Sequence, residues 1–104
     1  MTLDELLDRL NKFFNTSGAA DIDGVFQFIL KDSEDFWIAV KNGDKEIGKG
    51  SYDAPSVTVT TSLPVLVGVL DGSVNGMQAF MTGKVKAKGN VLLAQKMSSI
   101  FLIA

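Results

Sequence analysis

The sequence predicts an α+β fold in which helices cover one face of a mixed β-sheet. Three observations lead there: an amphipathic stripe at the N-terminus, a series of short alternating segments, and a second half in which helical spacing brackets one more alternating run.

Leu3, Leu6, Leu7, Leu10, Phe13 and Phe14 recur at the helical period, which predicts a helix over about residues 3 to 14. Thr2 followed by Glu5 is a capping box, and Asp4 and Glu5 early with Arg9 and Lys12 late suit the macrodipole. Thr16-Ser17-Gly18 ends the element. In Gly24–Lys31, Phe26, Phe28 and Leu30 share one face and Val25, Gln27, Ile29 and Lys31 the other, the signature of a strand. Phe36, Ile38 and Val40 alternate with Trp37, Ala39 and Lys41 in a second run. Asn42-Gly43 is a hairpin signal because both residues tolerate positive φ, and Lys45–Tyr52 returns as a polar strand suited to an edge. The three make an antiparallel meander.

After Asp53-Ala54-Pro55, Val57-Thr58-Val59-Thr60 alternates as a fourth strand. Ser62-Leu63-Pro64 opens a second helix, apolar nearly all round, that closes at Asp71-Gly72. Val74–Thr82 reads as a short helix stopped by Gly83, with Met77, Phe80 and Met81 on one side. Lys84-Val85-Lys86-Ala87-Lys88 alternates strictly, with three lysines on one face of an edge strand. Gly89-Asn90 then caps a final helix from Val91, on which Leu93, Met97, Ile100, Phe101 and Ala104 lie at helical spacing. The 104 residues have the length of one domain, without linker, repeat or low-complexity segment.

Composition narrows the function. Ten Lys and Arg against twelve Asp and Glu lack the basic excess of a nucleic-acid binder. There is no Cys and no His, which removes thiolate nucleophiles, the usual metal ligands and the usual base near neutral pH. MTLDELLDRL is acidic where a signal peptide needs a basic start, no segment reaches the ~20 apolar residues of a membrane span, and no peroxisomal tripeptide is present. The expected location is therefore cytoplasmic.

The motifs that look chemical do not hold. Gly43-Asp44-Lys45-Glu46-Ile47-Gly48-Lys49 matches most of a phosphate-binding loop, but Gly50 replaces the required Ser or Thr and no helix can follow. Asp21-Ile22-Asp23-Gly24 lacks the later ligands of a calcium loop. Asp32, Glu34 and Asp35 form an acidic turn without an activating partner. No cofactor or metal is expected. Lys84, Lys86 and Lys88 read as a solvated edge, though the same row could hold a phosphate or an anionic membrane surface. What remains is a surplus of apolar side chains: seven Phe, Trp37, three internal Met and three apolar helices in the second half. They either fill a core or leave it partly open for an apolar ligand, with Met as an adaptable lining.

The ordered set Gly24-Val25-Phe26-Gln27-Phe28, Trp37 through Val40-Lys41-Asn42-Gly43, Pro55-Ser56-Val57-Thr58-Val59-Thr60, and AFMTGKVKAKGN with VLLAQKM (Ala79 through Met97) resembles the sterol carrier protein type 2 domain family. The likeness covers about residues 3 to 102. It departs at Ser62-Leu63-Pro64-Val65, which is apolar where the family is usually acidic. The resemblance implies a five-stranded sheet in the order α-β-β-β-crossover-β-α-β-α. It also implies an apolar tunnel between sheet and helices that holds fatty acids, acyl-CoA, sterols or phospholipids without catalysis. Carried onto this sequence, its sheet wall would be Phe26, Phe28, Phe36 and Ile38. The helical side and lid would be Leu66, Leu70, Met77, Phe80, Met81, Leu93, Met97 and Phe101. Transient membrane contact is compatible with such a carrier. The alternative is an accessory module whose apolar helices form a homodimer or docking face.

Overall fold

The computed structural model describes residues 2–13 and 22–96. The first helix ends at Lys12 with Phe13 as its cap, short of the expected residue 14; Phe14 and Thr16-Ser17-Gly18 beyond it, and Met97 and Phe101 of the expected lid, lie outside the described residues. Element order is α1 (Leu3–Lys12), β1 (Gly24–Leu30), β2 (Phe36–Lys41), β3 (Asp44–Lys49), β4 (Val57–Thr61), α2 (Leu63–Asp71), α3 (Gly76–Met81), β5 (Lys86–Gly89) and α4 (Val91–Gln95).

The five strands form one sheet in the order β3-β2-β1-β4-β5. β1 and β4 run parallel, and every other neighbouring pair is antiparallel, so the sheet is mixed. The hairpin turn falls on Asn42 and Gly43, both at positive φ (54° and 78°), as its two-residue loop requires.

Register decides which side chains share a face. Phe28 lies opposite Phe36 and Phe26 opposite Ile38; Ile38 also faces Ile47. Across the parallel pair Phe26 meets Val57 and Phe28 meets Val59, and Val59 in turn faces Ala87. This inner face is the buried one, joined in a single cluster by Leu3, Leu6 and Leu10 of α1, Leu66 and Leu70 of α2, and Leu93 of α4. The Phe28 and Phe36 rings stack 4.6 Å apart between centroids, with Phe26 next in line at 6.4 Å. The β1–β2 part of the inner face is thus filled with aromatic carbon.

α1 begins with the anticipated capping box: the Glu5 amide donates to Thr2 Oγ1 at 3.2 Å and the Thr2 amide donates to Glu5 Oε1 at 3.2 Å. An ion pair between Lys49 Nζ and Asp4 Oδ1, 2.7 Å, sets the start of α1 beside β3.

The third strand ends at Lys49 rather than Tyr52. The cause is Gln27, a buried amide on the outer face of β1. Its Nε2 donates to the Phe36 and Gly50 carbonyls (3.1 and 3.0 Å), and its Oε1 accepts from the Tyr52 amide (2.6 Å). Gly50, at φ 95°, turns the chain out of the ladder toward those partners. Tyr52 then meets Trp37 edge-on at 4.9 Å. A buried amide must be satisfied, and here it is satisfied by pulling a loop across the sheet.

Candidate functional site

The other end of the inner face is built differently. Behind β4 and β5 the side chains are Val, Thr and Ala rather than Phe, so the sheet surface there is shallower. Three short helices stand over it, each started by a side-chain cap. Ser62 Oγ accepts from the Val65 amide for α2, Asn75 Oδ1 from the Gln78 amide for α3, and Asn90 Oδ1 from the Leu93 amide for α4. Asp32 Oδ1 also accepts from the Leu63 amide at 2.9 Å, and Asp35 Oδ1 from the Leu30 amide at 3.2 Å. Two acids of the Asp32–Asp35 turn therefore hold backbone.

α2 ends at Gly72 in the left-handed region, φ 87°, and the chain folds back so that the Val74 amide donates to the Gly68 carbonyl at 2.9 Å. Gly68 allows this return, since any side chain there would collide with Val74. The helix that follows this return, α3, is six residues long.

A cavity of about 430 Å³ results. Its floor is Val59 and Thr61 of β4 with Val85 and Ala87 of the β5 segment. Leu66 and Val69 of α2 form one wall; Gly76, Met77 and Phe80 of α3 form another; Val91, Ala94 and Gln95 of α4 close the third side. The lining is mostly carbon. The Thr61 hydroxyl is fully buried and donates to the Lys84 carbonyl at 2.9 Å, so it offers the cavity little unmet polarity. Met77, Phe80 and Gln95 are exposed as well as lining, which puts the mouth beside them. The Gln95 amide has no hydrogen-bond partner among the described residues. The chemistry on offer is apolar burial with a polar rim, and among the described residues no group of three acidic side chains converges as a metal site.

The sequence-predicted site residues fall into three groups. Leu66, Met77 and Phe80 line the cavity. Phe26, Phe28, Phe36, Ile38, Leu70 and Leu93 are packed into the core and do not line it. Met81 is 78% exposed on α3, next to the mouth in sequence but outside the lining. The smaller liners Val59, Val85, Ala87, Val91 and Ala94 were not singled out by sequence reasoning. A small side chain at an inward-facing position, Ala87 between lysines and Ala94 after two leucines, is the signal that could have marked two of them.

Comparison with known proteins gives the family and the fold. The sequence model of the SCP-2 sterol transfer family matches residues 3–102. Sterol carrier protein 2 of Gallus gallus is 34% identical over 86 residues, 78% of this chain and 16% of that protein. A hydroxysteroid dehydrogenase-like protein 2 of Xenopus tropicalis is 27% identical over 94% of the chain and 24% of its own length. The chain thus spans a minor part of the curated relatives it matches. In fold it is similar to the palmitated SCP2L2 of Aedes aegypti, at TM-score 0.77 and 23% identity, over 95% of this chain and 93% of that one. It is also similar to part of a sec-alkylsulfatase from a Pseudomonas species, at TM-score 0.88 and 22% identity, over 97% of this chain and 16% of that one.

Proposed function

Because this chain belongs to the SCP-2 sterol transfer family, we propose that it is a non-catalytic lipid carrier whose ligand lies in the cavity between β4–β5 and α2–α4. The observation that carries the reading is an unfilled apolar space of about 430 Å³ in a domain otherwise packed to the centre of its sheet. An apolar space of that size with a mouth to solvent gains free energy when an apolar ligand replaces the water in it.

The volume also supports one ligand class over others. A methylene needs about the ~30 Å³ share of a water molecule, so the space holds roughly fourteen. That is one saturated acyl chain; a second chain or a sterol ring system with its tail exceeds it. At ~0.8 kcal/mol per methylene the gross gain is about 11 kcal/mol. After at least ~4 kcal/mol for association, a micromolar dissociation constant remains, which suits pick-up and release. Gln95 at the mouth can hydrogen-bond a carboxyl or thioester head that stays outside.

A titration series of saturated fatty acids tests this. Affinity should rise about fourfold per added methylene and level off near fourteen, with cholesterol binding more weakly than the best acid. Equal or tighter binding of cholesterol would contradict the one-chain reading.

A further inference from the structure

We propose that Leu66 is the chain-length gauge of this protein, the side chain at the blind end of the cavity that decides how long an acyl chain fits; this rests on the carrier reading and deepens it. The lining side chains fall into an order of exposure. Met77 and Phe80 at the mouth are 58% and 43% exposed, liners such as Val69 and Ala87 are half-buried, and Val59, Thr61 and Leu66 are closed off from solvent. A chain that enters beside Met77 and Phe80 runs past the half-buried side chains and stops against the buried three.

Of those three, Leu66 is the one with length to give or take. Thr61 is tied, since its hydroxyl donates to the Lys84 carbonyl at 2.9 Å and so links β4 to the turn before β5. Val59 sits in the sheet between Phe28 and Ala87, and a β-branched side chain on such a strand has one preferred setting. Leu66 stands at the start of α2, where its amide donates to the Ser62 carbonyl at 3.0 Å. The same helix start is held by Ser62 Oγ on the Val65 amide and by Asp32 Oδ1 on the Leu63 amide. The end wall is therefore anchored by caps on both of its flanks and acts as a fixed stop. Val69, three residues on, lines the cavity with Leu66, whereas Leu70, four residues on, is as deeply buried but does not line it.

A saturated chain gains a nearly constant amount for each methylene that it buries, so affinity climbs with length until the terminal methyl meets a wall. Methylenes beyond that point stay at the mouth in water and add little. The length at which the climb ends is set by the side chain at the wall. Truncating Leu66 to Ala removes three carbons there and makes room for about three methylenes, less whatever the site recovers by collapse. A Phe at the same position adds three carbons and takes a similar length away.

The test measures binding of a series of saturated fatty acids to wild type, Leu66→Ala, Leu66→Phe and Leu70→Ala by displacement of a fluorescent fatty acid, beside the thermal unfolding of each. Leu66→Ala should go on gaining affinity for about two methylenes beyond the wild-type plateau, so that it binds an acid of that length about tenfold more tightly than wild type does. In Leu66→Phe the plateau should come about two methylenes early. Leu70→Ala removes the same atoms from the same helix and should lower the melting temperature similarly, with its plateau where the wild type has it. Leu66→Phe deletes no core carbon, so it carries the test if Leu66→Ala does not fold. Plateaus unmoved in the Leu66 variants, or moved as far by Leu70→Ala, would overturn the gauge while leaving the carrier reading in place. Failure of the wild type to bind any acid of the series would remove the carrier reading, and the gauge with it.

Discussion

An Ala87→Phe variant should bind acyl chains about a hundredfold more weakly than wild type and unfold at no lower a temperature. Ala87 lies on β5 opposite Val59, facing inward, and lines the cavity. A phenyl ring there enters open space, so the overpacking cost of a filled core does not arise. The ring displaces roughly four methylenes of ligand, about 3 kcal/mol at ~0.8 kcal/mol each. Displacement of a fluorescent fatty acid gives the affinity, and thermal unfolding gives the stability. Unchanged affinity in the folded variant would put the ligand somewhere other than between β4–β5 and α2–α4.

Phe28→Ala should act on the opposite quantity. Phe28 is fully buried, stacked on Phe36, and on the central strand of the sheet. Truncating a phenylalanine in such a position costs about 3–5 kcal/mol. For a domain of this length that lowers the melting temperature by roughly 15–30 °C. Ligand affinity of the folded fraction should stay within about threefold of wild type. A Phe28→Ala protein of normal stability and altered affinity would place the binding space on the aromatic side of the sheet.

These two residues also show what the sequence could and could not convey. Alternation in Gly24–Lys31 and Phe36–Lys41 sorted the side chains onto the right faces, and local chemistry at Thr2 and Glu5, Asn42-Gly43 and Ser62-Leu63-Pro64 marked where elements begin and turn. Each of those signals acts within a few residues. The end of β3 escaped because it depends on Gln27, more than twenty residues away from the loop that it captures. The cavity escaped for a related reason. Period-two patterning says that Phe26 and Ala87 face the same side of the sheet, but not that strand order puts Phe26 on the central strand and Ala87 on an edge strand. Large side chains draw attention as a binding wall, yet large side chains are what fill a core. Space is left where small ones, Ala87 and Ala94, face helices that a glycine-dependent turn at Gly68 holds back.

The most direct test of the carrier account is native mass spectrometry of the freshly purified protein, followed by solvent extraction. The account predicts adducts of a few hundred daltons at roughly one per chain, lost on denaturation and recovered in the extract as a single-chain acyl lipid. A bare chain mass, unchanged after palmitate is added, would mean that the space between β4–β5 and α2–α4 takes no lipid, and would contradict it.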